Sequence, residues 1–135
     1  MIAIIPARGG SKGLLKKNMK IFNGRPLIQT TIEAAKDSKL VDFVYVSTDD
    51  KEISDFSKSC GAESPFLRPK ELSKDRSLIN DTLKYMIKKL ENEYSKKSDS
   101  FVLLQPTSPL RTSQDIDNAI TLFEKKNADS VISYV

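Results

Sequence analysis

The chain opens on IAIIPARGGSKGLLKKN, Ile2–Asn18. Four apolar residues, Ile2 to Ile5, run into a proline, and so short and wholly apolar a run reads as a strand buried on both faces. Arg8, two adjacent glycines, Ser11, Lys12 and Gly13 follow. Lys16 and Lys17 then raise the cations on this glycine-rich turn to four. Glycines let backbone N–H groups approach an anion closely, and cations beside them neutralise it, so the stretch predicts a phosphate-type loop after the first strand. Two well-known patterns do not fit. GxxxxGK[ST] fails because Gly13 follows Lys12, and GxGxxG fails because Gly9 and Gly10 are adjacent. The alternative is an ordinary glycine turn carrying surface lysines.

The rest of the chain alternates short apolar runs with helical patterns. Pro26 suits the first turn of a helix carrying Ile28, Thr31, Ile32 and Ala35 on one face. Residues 43–47 read as the second strand. Asp49, with Glu52 three residues on, reads as the N-cap of a helix that carries Ile53, Phe56 and Cys60 and stops at Gly61. An extended piece covers 63–67. Apolar residues recur at helical spacing over 78–94. A polar loop over 95–100 leads to a strand at 101–104. Thr112 and Asp115 form a capping-box pattern before Ile116, Ala119, Ile120 and Phe123. Residues 130–135 read as the start of another strand. The expected fold is therefore α/β, a mostly parallel sheet with helices on both faces. The chain stops inside an apparent strand, so residues 1–135 are expected to be one domain of a longer protein, incomplete at its C-terminus.

Composition narrows the chemistry. With 39% apolar and 30% charged residues over 135 positions, the chain reads as a soluble globular domain. No run approaches the roughly 20 apolar residues of a membrane span, and the opening apolar run is too short for a signal peptide. A cytoplasmic location and no membrane partner are the expectation. A single cysteine, Cys60, excludes an intrachain disulfide and is expected to be a buried structural thiol. The absence of histidine removes the commonest general base and transition-metal ligand. The net charge of +4 raises nucleic acid as a partner. Tryptophan is absent and aromatics are 7% of the chain, with no stacking platform or recognition helix. No nucleic-acid partner is therefore expected, and a small anionic ligand is the more economical one.

Ligands of open parallel sheets bind at the carboxyl ends of the strands. Three polar clusters follow strands here and should share one edge: residues 8–18, residues 47–50 and residues 105–111. Ser47-Thr48-Asp49-Asp50 reads as a helix cap, with metal binding the less favoured alternative. Gln105-Pro106-Thr107-Ser108-Pro109-Leu110-Arg111 is a stiff loop with several hydrogen-bonding side chains, suited to a hydroxyl-rich ligand or to plain connection. Arg68, taken alone, reads as a surface residue.

Together, IPARGGSKGLLKKN, VSTDD, LRPKELSKD and LLQPTSPLRT resemble the signature segments of the acylneuraminate cytidylyltransferases, the CMP-sugar synthetases for nine-carbon sialic acids and their bacterial relatives. The resemblance implies a Rossmann-like nucleotidyltransferase domain. It implies transfer of CMP from CTP to a sialic-type sugar acid, release of pyrophosphate, Mg²⁺ as cofactor and a homodimeric full-length protein. It sets Arg8, Gly10, Ser11, Lys12 and Lys17 on the segment around the CTP phosphates, with Arg8 and Lys17 as the catalytic pair. Asn18 matches a position near the ribose and Arg68 one that contacts cytosine. Gln105, with Thr107 and Ser108, falls on the sugar side. Leu15 stands where members usually carry proline, and Arg76, Ser77, Leu78 and Ile79 stand where small hydroxyl residues are usual. The family's metal-binding aspartates match no position in this chain, so the metal ligands are unknown. The alternatives are a nucleotide-binding module without turnover, or a cytidylyltransferase for another sugar acid such as 3-deoxy-octulosonic acid.

Overall fold

The computed structural model describes residues 1–10, 17–74 and 77–133. Strand β1 (Ile2–Pro6) lies at the centre of a three-stranded parallel sheet. On one side it pairs with β4 (Phe43–Ser47), in register from Ile2↔Phe43 to Pro6↔Ser47. On the other it pairs with β5 (Phe101–Leu103), from Ile2↔Phe101 to Ile4↔Leu103. Side chains alternate across a strand. Ala3 and Ile5 accordingly enter one core with Ile28, Ile32, Val44, Val46, Ile53, Ile116 and Ile120. Ile2 and Ile4 enter a second with Tyr45, Leu83, Met86 and Leu90.

Three helices serve the first core: α1 (Leu27–Asp37), α2 (Lys51–Ser59) and α4 (Ser113–Lys125). The second core is covered by α3 (Ile79–Tyr94). The expected parallel sheet with helices on both faces is what forms. The capping box of α4 is present, with Thr112 accepting from the Asp115 N–H and Asp115 from the Thr112 N–H. Gly61 takes φ +93° after α2, the left-handed stop that glycine tolerates. Among the described residues, no helix is long and apolar enough to cross a membrane.

Several sequence-based expectations are corrected. Residues 130–133 form no strand, and Ile132 is exposed. An apolar run becomes a strand only where a neighbour can pair with it, and this one finds none among the described residues; residues 134–135 lie outside them. Pro26 precedes α1 rather than entering its first turn, because it already closes a hairpin that sequence reading missed. Strands β2 (Ile21–Phe22) and β3 (Arg25–Pro26) pair antiparallel around Asn23 and Gly24, at φ 51° and 80°. Positive φ at both central residues is the geometry for which Asn-Gly is favoured. The N-cap of α2 is Asp50, not Asp49: Asp50 Oδ1 accepts from the Ile53 N–H at 3.0 Å. Cys60 is half-buried against the first core, and partial burial raises its thiol pKa.

Candidate functional site

At the carboxyl end of β1 the ladder continues one step, the Ala7 N–H donating to Ser47 O at 2.9 Å. The chain then turns through Arg8 and Gly9. The Gly9 N–H donates to Asp49 Oδ1 at 2.8 Å. A Cβ on Gly9 would sit 2.7 Å from Asp50 Oδ2 and 2.8 Å from Asp50 Cβ, so only glycine fits against the β4–α2 turn. This explains why Asp49 does not cap α2: its carboxylate faces the first loop, and Asp50 takes the helix end. Gly10 is exposed with open space where its Cβ would be, so sterics do not require glycine there. Ser11 and Lys12 lie outside the described residues.

The chain returns through the 3₁₀ turn Lys17–Met19. Asn18 is buried and its amide donates to Arg8 O at 3.2 Å, pinning the two ends of the glycine-rich segment together. Lys17, beside it, is half-buried.

Arg68 contradicts its reading as a surface residue. It is 7% exposed. Its backbone N–H donates to Thr48 O at 2.7 Å, and Nη2 donates to Ser47 O at 3.0 Å. Nη1 reaches Leu72 O at 3.1 Å and Thr82 Oγ1 at 3.4 Å. Nε is buried and has no hydrogen-bond partner among the described residues. Burial lowers the pKa of this guanidinium; the Asp49 carboxylate opposes that shift and the charge of Arg8 adds to it. An arginine stays protonated under such shifts. A fixed cation with a spare donor therefore stands at the cavity wall.

The third cluster follows β5. Arg111 Nη2 donates to Gln105 O at 3.0 Å, and turns close from Ser108 N to Gln105 O (3.3 Å) and from Arg111 N to Ser108 O (3.2 Å). These bonds hold the two-proline loop with Gln105 and Thr107 exposed.

The three clusters meet at one sheet edge, as expected. Arg8, Lys17, Asn18, Arg68, Gln105 and Thr107 line a single cavity of about 270 Å³. Ser108 and Gly10 are not among its lining residues. Lys74, Ser77, Ile79 and Thr82, which sequence reading did not place in the site, also line the cavity, with Pro6, Leu72 and Pro106. Thr82 had a signal, a hydroxyl residue next to the apolar stripe of α3. Lys74 lies in the LRPKELSKD segment and Ser77 just after it, so only the resemblance pointed to them; a loop has no period. Among the described residues the lining carries Arg8, Lys17, Arg68 and Lys74 and no carboxylate, so the cavity suits a polyanion.

A family model described as cytidylyltransferase matches residues 2–135. The chain belongs to the cytidylyltransferase family. Among proteins similar to this cytidylyltransferase chain is CMP-N,N'-diacetyllegionaminic acid synthase of Legionella pneumophila. It is 40% identical over 133 residues, covering 98% of this chain and 56% of that protein. N-acylneuraminate cytidylyltransferase of Escherichia coli O18:K1:H7 is 41% identical over 124 residues, covering 92% of this chain and 28% of that protein. The structure of a CMP:2-keto-3-deoxy-manno-octonic acid synthetase complexed with CTP superposes with a TM-score of 0.77 at 24% identity. It covers 94% of this chain and 48% of that one, and supports the Rossmann-like fold. The cytidylyltransferase chain thus spans from 28% to 56% of the length of these two curated relatives.

Proposed function

We propose that this chain is the nucleotide-binding part of an enzyme that transfers CMP from CTP to a sialic-type nine-carbon sugar acid, releasing pyrophosphate. The observation that carries the reading is the convergence of Arg8, Lys17, Asn18, Arg68 and Gln105 on one cavity whose described lining holds cations and no carboxylate. In the reaction the anomeric hydroxyl oxygen of the sugar bonds to the α-phosphorus. The bond from that phosphorus to the bridging oxygen breaks, and the hydroxyl proton leaves to a base. Negative charge grows on the phosphate oxygens and the departing pyrophosphate. Arg8 and Lys17 are the donors that stabilise it, because fixed cations in a partly dry site act on developing charge at no reorganisation cost. Ser11, Lys12 and the backbone at Gly10 belong to the same phosphate role.

Arg68 is assigned to the base. A guanidinium offers donors and no acceptor. Cytosine presents O2 and N3 as adjacent acceptors, whereas uracil carries a hydrogen on N3. A buried arginine with Nε unspent therefore favours CTP over UTP. Asn18 is assigned to the ribose side. Gln105 and Thr107, with Ser108 behind them in the loop, are assigned to the sugar acid. The whole protein, on this reading, is a cytoplasmic homodimer with neither membrane nor nucleic acid as partner.

Mg²⁺ belongs to this proposal as a companion of the triphosphate. The described residues fit it poorly as a protein-held ion. No three Asp, Glu, His or Cys side chains come together among them, and Asp49 and Asp50 each give a carboxylate oxygen to a backbone N–H. The residues described here bind and orient the nucleotide, and no step is routed through the metal.

Calorimetric titration of the chain with CTP, UTP and ATP, with and without Mg²⁺, tests the binding. CTP alone should bind tightly, and equal affinity for UTP overturns the role of Arg68. Pyrophosphate release with CTP and N-acetylneuraminic acid tests turnover. A second reading is nucleotide binding without turnover, and the exposure of Gln105 and Thr107 on the sugar side favours it for this chain. CTP binding with no pyrophosphate release would select it.

A further inference from the structure

A second cavity, of about 340 Å³, lies on the outer flank of β4 and shares no lining residue with the first. Its walls come from β4, from the C-terminal end of α2, from residues 62–65 and from the last turns of α3. Residues 62–65 are tied to the sheet: Val46 N donates to Glu63 O and Glu63 N to Val44 O, both at 2.8 Å. The cavity is therefore framed by hydrogen-bonded backbone, not by a loose loop.

Its chemistry is mixed in an ordered way. Leu90, Pro65 and the rings of Tyr45 and Tyr94 give apolar surface. Tyr45 is 2% exposed, yet its buried hydroxyl has no hydrogen-bond partner among the described residues. Burial first, then the nearby Glu63 carboxylate, which stops short of a well-formed hydrogen bond, raises this phenol's pKa to about 12. It is protonated at neutral pH and available as a donor. Phenylalanine would satisfy the surrounding core of Ile2, Ile4, Leu83, Met86 and Leu90 at no desolvation cost, so the hydroxyl is unexplained by packing. The exposed Lys58 and Lys96 also line the cavity, against the single carboxylate of Glu63.

We propose that this cavity is a second small-molecule site, for a planar monocarboxylic acid carrying a hydroxyl group. The ligand hydroxyl accepts from Tyr45 and donates to Glu63. Its ring lies on the apolar wall, and its carboxylate is drawn to Lys58 and Lys96. A volume of about 340 Å³ accommodates one small ring.

The test uses 4-hydroxybenzoate as probe, titrated into the ¹⁵N-labelled chain and followed by amide shifts. Saturable changes are expected at Tyr45, Ala62, Ser64 and Leu90, with none at Arg8 or Asn18. Tyr45→Phe, which keeps the ring and the fold, should weaken binding about five- to tenfold, the loss typical of one hydrogen bond. Benzoate, lacking the hydroxyl, should bind both proteins alike and weakly. Lys58→Gln combined with Lys96→Gln should weaken both acids. The proposal is overturned if no saturable shift appears by about 10 mM, if the shifts map to the first cavity, or if Tyr45→Phe binds 4-hydroxybenzoate as well as the parent chain.

Discussion

Replacing Gly9 by alanine would bring a methyl carbon to 2.7 Å from Asp50 Oδ2. The aspartate must then move, and it is the N-cap of α2. A loss of about 1–3 kcal/mol is expected for such overpacking, read as a lower midpoint in urea, with weaker CTP binding because the loop shifts with it. Gly10→Ala meets nothing within 4 Å, and its stability should stay within roughly 0.5 kcal/mol of the parent. Equal losses for the two variants would refute the clamp between the first loop and the β4–α2 turn. Arg8→Ala and Lys17→Ala make the complementary prediction. Each removes a charge-assisted contact of about 1.5–3 kcal/mol, so CTP affinity should fall roughly ten- to a hundredfold. At this scale the sequence was a partial guide. It named Arg8, Lys17, Asn18, Arg68, Gln105 and Thr107, all of which reach the cavity. It put the cap at Asp49 on the spacing to Glu52, but two adjacent aspartates have equal capping power and the approach of Gly9 leaves the cap to Asp50. Arg68 was legible only through resemblance. Its burial arises from backbone pairing of its own segment with Thr48, and no local pattern reports that.

The elements were more legible than their joints. Short apolar runs identified the three sheet strands and period-3.6 patterns the four helices, and the Thr112–Asp115 box marked the start of α4. The hairpin of β2 and β3 escaped because each strand has two residues, too few to show alternation, although Asn23-Gly24 was there to be read. One joint carries a pH prediction. Asp117 of α4 accepts from the Ser38 hydroxyl, from Lys39 N at 3.1 Å and from Leu40 N at 3.2 Å, tying α4 to the end of α1. Hydrogen bonding, led by Ser38, holds its carboxyl below the ordinary value of 3.8. A carboxyl with a depressed folded pKa stabilises the fold above its unfolded pKa and loses that contribution as pH falls through the folded one. Asp117→Ala should therefore lower the melting temperature at pH 7, and the gap to the parent should close as the pH is taken well below 3.8. A gap that is the same at both pH values would show that the carboxylate's charge is not what ties the helices. Thr112→Ala, which removes the hydroxyl that accepts from the Asp115 N–H, should cost about 1 kcal/mol at pH 7; because Thr112 also holds the Asp115 carboxyl below its ordinary value, part of that cost should fade at low pH.

For the whole molecule, the excess of cations matters less than where the fold gathers them. Lys and Glu intermix along the helices, whereas Arg8, Lys17, Arg68 and Lys74 come from four separate segments and meet at one edge of the sheet. Only the parallel arrangement of β4, β1 and β5 brings those segments together, which is why spacing along the chain could predict a shared edge but not the cavity's full wall. Four cations held near one another repel, and a polyanion relieves that repulsion, so CTP should stabilise the folded chain. With free CTP at about a hundred times its Kd, linkage gives about 2.7 kcal/mol, or roughly 10 °C in melting temperature for a chain of this size. UTP at the same concentration should give a smaller rise, through its phosphates alone, and Arg68→Lys should narrow the difference between the two nucleotides. Raising the salt from low to about 1 M, where the screening length is roughly 3 Å, should shrink the rise for both nucleotides in parallel, since the phosphate contacts are common to them. The base contact sits on a buried guanidinium and is screened much less. A preference for CTP that vanishes with salt would therefore place discrimination on the exposed cations instead of on Arg68.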